Sequence, residues 1–307
     1  MSASPSHPER WLQRLEWTVL RRLDGVLQGD YRTLFRGFGL DLADLREYQY
    51  HDDVRHIDWN VTARLQQPYV REYQEEREVT AWFLVDVTGS VFFGSGERSK
   101  RVTAGDFCGL LARVLTRHGN RVGAIVYGRG VQRVVPPGTG RRQPLQLLRA
   151  LTDEPPGEGP PTDLAAFLGA AAAILPRRSL VFVVSDFIST PGWAQPLGRL
   201  ATRHEVLAVR LHDPLERELP DLGFVPLQDA ETGEQLWIDT HDRAFRRRFH
   251  TLAERREAAL REGFVAAGVD TLELSTADDL ADTLLRHAAA RRRRAGNRGF
   301  HRYPAAS

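Results

Sequence analysis

Cysteine is almost missing: Cys108 is the only one in 307 residues. An internal disulfide is excluded, and so is a cysteine-based zinc site. Lysine is equally scarce. It occurs once, at Lys100, so arginine carries almost all the basic charge, and the net charge is +2. No run approaches the ~20 apolar residues that span a bilayer. The N-terminal MSASPSHPERW has no apolar signal core. A cytoplasmic protein is therefore expected, in keeping with a lone thiol in a reducing compartment. Catalytic signatures are missing too. Gly94-Ser95-Gly96 lacks the Gly-x-Ser-x-Gly spacing of a nucleophile elbow. Gly138-Thr139-Gly140 lacks the rest of a phosphate-binding fingerprint, and neither a P-loop nor His-Glu-x-x-His occurs. Cys108 falls among apolar residues of an expected helix, the setting of an inert thiol.

What remains is an ordinary globular composition, 42% hydrophobic and 27% charged, enough to bury a core. Residues 10–28 carry Trp11, Leu15, Val19, Leu23 and Val26 at helical spacing, ended by Gly29-Asp30. Residues 1–30 thus form an N-terminal amphipathic helix. Residues 31–78 read as a small module containing short strands around 67–73. From residue 79 to 290 the pattern becomes strand, helix, strand, with 291–307 left as an Arg-rich tail. Strands are expected at 79–85, 121–127, 131–135, 179–184, 205–211 and 269–274. Helices are expected at 99–117, 142–151, 163–175, 193–202, 243–267 and 277–290. In the first of these, Val102, Leu110, Leu111 and Val114 are the expected buried face. Residues 224–228 and 235–238 suit a hairpin that extends a sheet edge. Apolar strands alternating with helices imply an α/β fold: an open, mostly parallel sheet with helices on both faces. Ligands of such sheets bind beyond the carboxyl ends of strands.

That rule directs attention to Asp86-Val87-Thr88-Gly89-Ser90. A carboxylate and two hydroxyls at alternate positions suit a hard cation such as Mg²⁺, which takes about six oxygen ligands. The same residues also suit a plain strand-to-helix turn with capping hydroxyls. Thr162-Asp163-Leu164 opens a helix after a Pro/Gly-rich loop, and Ser185-Asp186-Phe187 follows the apolar strand. Oxygen-bearing loops therefore recur three times along one expected edge.

This order resembles the metal-ion-dependent adhesion site of von Willebrand factor A domains. The resemblance implies a von Willebrand factor A-like fold and Mg²⁺, or Mn²⁺, as cofactor. Residue by residue it implies Asp86, Thr88 and Ser90 from the first loop, Thr162 from the second and Asp186 from the third. Thr88 stands where that family usually has serine.

A second resemblance covers roughly 35–290. It rests on Tyr48, Asp52-Asp53, Arg55, Ile57-Asp58-Trp59, Thr62-Ala63-Arg64 and Val70-Arg71-Glu72-Tyr73. Downstream, Asp213-Pro214, Glu216, Leu219-Pro220-Asp221-Leu222-Gly223 and residues 229–234 extend it. These segments are similar to the bacterial domain of unknown function 58 family. The charges between Asp52 and Arg64 read as an ion-paired clasp with Trp59 as its apolar anchor. A second metal site at His51, Asp52, His56 and Asp58 fits no ligand pattern.

The family resemblance implies a protein partner, with a MoxR-type AAA ATPase as the leading candidate in assembly or maturation of other proteins. The expected role is a non-catalytic, metal-dependent adaptor. Phe92, Phe93 and Phe187, with Pro136-Pro137, are the expected docking rim. Two other roles stay open. One is a Mg²⁺-dependent hydrolase with Arg129, Arg141 and Arg142 as a phosphate clamp. The other is nucleic-acid association through the run Arg291–Arg294.

Overall fold

The computed structural model describes residues 45–49, 54, 57, 59, 62, 67–71, 80–153, 162–228 and 235–298. The helix expected at 10–28, the charges Asp52, Asp53, Arg55, Asp58 and Arg64, and His51 and His56 lie outside the described residues. So do the turn at 229–233 and the end of the Arg-rich tail.

Two short strands precede the main sheet: β1 (Leu45–Glu47) and β2 (Tyr69–Arg71), paired antiparallel. The main sheet comprises β3 (Thr80–Asp86), β4 (Arg121–Tyr127), β5 (Val131–Gly138), β6 (Leu180–Ser185), β7 (Glu205–His212) and β10 (Asp270–Ser275). Its order is β10-β7-β6-β3-β4-β5, with every neighbouring pair parallel except β4–β5. This is the von Willebrand factor A-like α/β sheet expected from the motif, with one antiparallel edge strand. The helices are α1 (Lys100–Arg117), α2 (Arg142–Thr152), α3 (Leu164–Ile174), α4 (Ala194–Arg203), α5 (Arg243–Ala267) and α6 (Leu280–Arg298). None of the helices among the described residues is long and apolar enough to cross a membrane.

Side chains of a strand alternate between faces, so a strand covered on both sides must be apolar throughout. In β3, Ala81, Phe83 and Val85 face a core shared with α1, α2 and α6, while Trp82 and Leu84 face a second core with α3, α4 and α5. Phe83 stacks on Phe182 at 4.9 Å, and Phe107 of α1 meets both edge-on. Gly123 of β4 sits against the Trp82 ring, where an added Cβ would come within 3.0 Å.

Some expectations are corrected. α1 is buried almost all round from Thr103 to Ala112, and Val102 is only half-buried, because the helix lies between the sheet and α2. The last helix runs on to Arg298, and Arg291 pairs with Asp270 at 2.9 Å. β8 (Phe224–Gln228) and β9 (Gln235–Asp239) form their own two-stranded sheet and do not extend the main one. Trp59 is 68% exposed, so it is not a buried anchor.

Candidate functional site

β3 is the first strand of the main sheet. Its neighbours β4 and β6 lead the chain in opposite directions, so the crevice between the carboxyl ends of β3 and β6 is the switch point of the fold. β3 delivers Asp86 to this point and β6 delivers Ser185 and Asp186. Asp86 is fully buried. Its Oδ1 accepts from the Thr88 amide at 2.9 Å and the Thr88 hydroxyl at 2.7 Å. Its Oδ2 accepts from the Ser185 hydroxyl at 2.7 Å. A short 3-10 turn over Gly89–Phe92 then lifts Ser90 towards Thr88, with 3.5 Å between their hydroxyl oxygens.

The second loop reaches the first directly. Thr162 Oγ1 donates to Thr88 Oγ1 at 2.8 Å, across 74 residues of chain. The loop is held there by Asp163, whose carboxylate accepts from Ala166 N at the start of α3, and by the Thr190 amide donating to the Thr162 carbonyl. Asp86, Thr88, Ser90 and Thr162 thus form one hydrogen-bonded constellation.

Asp186 borders this constellation, but its oxygens are engaged elsewhere. Oδ1 accepts from the Ile188 amide at 3.0 Å, and Oδ2 accepts from Lys100 Nζ at 2.7 Å. Lys100 also donates to Glu216 at 2.6 Å. Phe187, the next residue, has a φ of 58°, a left-handed conformation uncommon for a bulky residue. The turn is over-determined by two contacts. The Phe187 amide donates to Ser185 Oγ, and its ring packs on Trp193 and Phe264 at 5.2 and 4.8 Å.

The charges are unequally shared. Burial, and then the nearby Asp186 carboxylate, raise the Asp86 pKa to about 6, with the Thr88 and Ser185 hydrogen bonds opposing the rise. Burial also disfavours the charged form of Lys100. Asp186 and Glu216 outweigh it and hold the ammonium above its ordinary value. Among the described residues no basic side chain lies within ion-pair distance of Asp86. No group of three or more His, Cys, Asp or Glu is arranged to hold a metal there either. A cation at this site would be held by hydroxyls and one unpaired carboxylate, with Asp186 beside it. Mg²⁺ and Mn²⁺ accept such an oxygen-rich, partly hydrated set.

The residues of the expected docking rim occupy different places. Phe92 and Phe93 are half-buried beside the site. The Arg101 guanidinium lies 4.3 Å above the Phe92 ring, and Lys100 Nζ lies 5.9 Å from that of Phe93. Phe187 is 2% exposed and belongs to the core, so it is not a docking residue. Pro136 and Pro137 lie at the opposite sheet edge, because antiparallel β5 pairs Gly138 with Val122 near the start of β4. The same geometry splits the Arg129, Arg141 and Arg142 clamp: Arg129 is in the turn beyond β4, and the other two follow β5 at the far edge. Cys108 is fully buried, and burial pushes its thiol pKa far up, so it is inert.

Three residues of the site were not among the site residues expected from sequence. Ser185 carried a signal, a hydroxyl directly before Asp186. Lys100 is the single lysine of the chain. Glu216 lies in a capping box with Asp213, which accepts from Ser95 and Thr276 at 2.6 Å each and so joins three neighbouring loops.

The chain matches the family model described as "Protein of unknown function DUF58" over residues 44–259. It is 37% identical over 285 residues to uncharacterized proteins of Mycobacterium tuberculosis and Mycobacterium bovis, covering 92% of this chain and 89% of each relative. Among solved structures it is similar to BatB of Bacteroides thetaiotaomicron, at 11% identity and a TM-score of 0.44, covering 71% of this chain and 99% of that one. It is also similar to the SpRpn10 VWA domain, at 12% identity and a TM-score of 0.39, covering 69% and 95%. The fold assignment stands on the strand order itself, and the matched residues settle the kinship: this chain is a member of the DUF58 family.

Proposed function

We propose that this protein is a non-catalytic adaptor that docks a protein partner through a divalent cation, Mg²⁺ or Mn²⁺, held by Asp86, Thr88, Ser90 and Thr162 with Asp186 beside it. The observation that carries this reading is the buried Asp86 carboxylate, without a basic partner among the described residues, bonded to the Thr88 hydroxyl, which the Ser90 and Thr162 hydroxyls approach in turn. A buried charge is costly unless it is paired or coordinates a metal. A cation held mainly by hydroxyls and water keeps positive charge and exchangeable positions. An acidic side chain of a partner can take one of these with charge-assisted strength. Phe92 and Phe93 supply apolar surface next to it. The family resemblance nominates a MoxR-type AAA ATPase as the partner to test first. The divided arginine clamp weighs against phosphate hydrolysis.

The test is calorimetric titration of Mg²⁺ and Mn²⁺ into the protein and into Asp86→Ala, followed by interferometry against a MoxR-type AAA ATPase with Mg²⁺ and with EDTA. Saturable uptake lost in Asp86→Ala, with association lost in EDTA, supports the reading. Equal uptake by both proteins, or none at millimolar concentrations, overturns the site. Association indifferent to EDTA and to Asp86→Ala overturns the metal bridge.

A further inference from the structure

Lys100 occupies a position that local rules disfavour. It is the first residue of α1, where the positive end of the helix dipole repels a cation. It is also 1% exposed, and a lysine is almost never fully buried unless paired. Its surroundings compensate with Asp186, itself 1% exposed, and Glu216. A compact ammonium with three donors can serve two carboxylates in so small a space, where the planar fork of arginine would not fit as readily. In a chain that otherwise uses arginine for positive charge, the one lysine stands beside the candidate metal loops.

We infer that Lys100 is a positioning residue that holds and neutralises Asp186 beside the metal loops, and so lowers the affinity of the site for a divalent cation. This inference rests on the metal reading of the site and names what regulates its affinity. The geometry supplies the reason. Asp186 Oδ2 accepts from Lys100 and Oδ1 from the Ile188 amide, so the carboxylate is fixed in orientation and its charge is shared with the ammonium. The Lys100 charge also offsets that of Asp186, whereas Asp86 has no basic side chain within ion-pair distance among the described residues. Glu216 tunes the arrangement from the far side by sharing the ammonium with Asp186. The Glu216 carboxylate also accepts from the Asp213 amide at 3.0 Å, which couples Lys100 to the clasp of Ser95 and Thr276.

Two substitutions then move metal affinity in opposite directions. Lys100→Met keeps the stem, removes the charge and frees Asp186 Oδ2, so Mg²⁺ and Mn²⁺ should bind at least about tenfold tighter. Glu216→Gln leaves the ammonium wholly to Asp186 and removes a nearby negative charge, so binding should weaken several-fold. A residue with a purely structural role would lower the melting temperature in both variants and move affinity the same way in both, or not at all. Calorimetry with each metal alone, on the full chain, with circular dichroism to verify folding, reads these outcomes. Opposite shifts establish the role. Wild-type binding with unchanged or weakened affinity in folded Lys100→Met overturns it and leaves the metal reading standing. If Lys100→Met does not fold, Glu216→Gln decides alone, and unchanged or tighter binding there overturns the role. Absence of uptake in wild type and both variants overturns the metal reading itself.

Discussion

Asp86 carries the most informative electrostatics of any single residue. Its folded-state pKa of about 6 lies above the ordinary aspartate value near ~3.9, so the native protein binds a proton more tightly than the unfolded chain does. Stability from this group therefore rises as pH falls through 6 towards 4, by up to about 3 kcal/mol. Asp86→Asn retains an acceptor for Thr88 and gains a donor for Ser185, and it removes the buried charge. In EDTA it should melt above wild type at pH 7.5, and the gap should narrow below pH 6 and close near pH 4. A gap independent of pH would show that the charge is not the cause. Protons and metal compete for the same carboxylate, so divalent affinity in wild type should fall as pH drops below 6. Lys100 offers a separate check. Besides the α-amino group it is the only amine in the chain, and its burial should protect it from an amine-reactive reagent until the protein is unfolded. Prompt modification of the native protein, read by mass spectrometry, would contradict the buried ion triad.

At the scale of elements, two close approaches shape the strands and turns of the sheet that carries the site. Gly123 lets β4 lie flat against Trp82 beside β3. Gly123→Ala should destabilise the protein by about 1–3 kcal/mol through overpacking, measurable by urea denaturation. Phe187 holds the left-handed turn after Asp186 by packing into the aromatic cluster with Trp193 and Phe264. Phe187→Ala should cost about 3–5 kcal/mol. At a temperature where the variant is folded, it should leave partner affinity less changed than Phe92→Ala does. The reverse order would return Phe187 to the docking surface. Most of these elements were legible beforehand, because buried parallel strands must be apolar throughout and helix starts are marked by caps. The strand Arg121–Tyr127 and the helix Arg243–Ala267 have the bounds their patterns imply, and the helices expected from residues 99 and 163 start there, with Ser99 and Asp163 as their caps. Burial round α1 was less legible. Periodicity describes one face, and a helix covered by both the sheet and another helix has more than one.

For the whole molecule, residues 31–78 are too few to bury much core alone. A chain beginning at Val79 is expected to melt lower or to be insoluble, and an unchanged melting temperature would show that the preceding residues are only tethered. Sequence by itself determined the open α/β sheet and the loops that hold Asp86, Thr88, Ser90, Thr162 and Asp186, because local patterning dictates strands and the fold sends their carboxyl ends to one edge. Tertiary structure alone decided which side chains meet there. The Thr162–Thr88 bond spans 74 residues, the Lys100–Asp186 pair 86 and the Lys100–Glu216 pair 116. It also decided that Phe187 turns inward and that Pro136 and Pro137 lie at the far edge. Contacts of that sequence separation leave no periodic trace along the chain. They arise only when strand order and register bring the ends of β3, β6 and β7 together, and a left-handed turn or an antiparallel edge strand redirects residues that spacing alone would have placed beside the site.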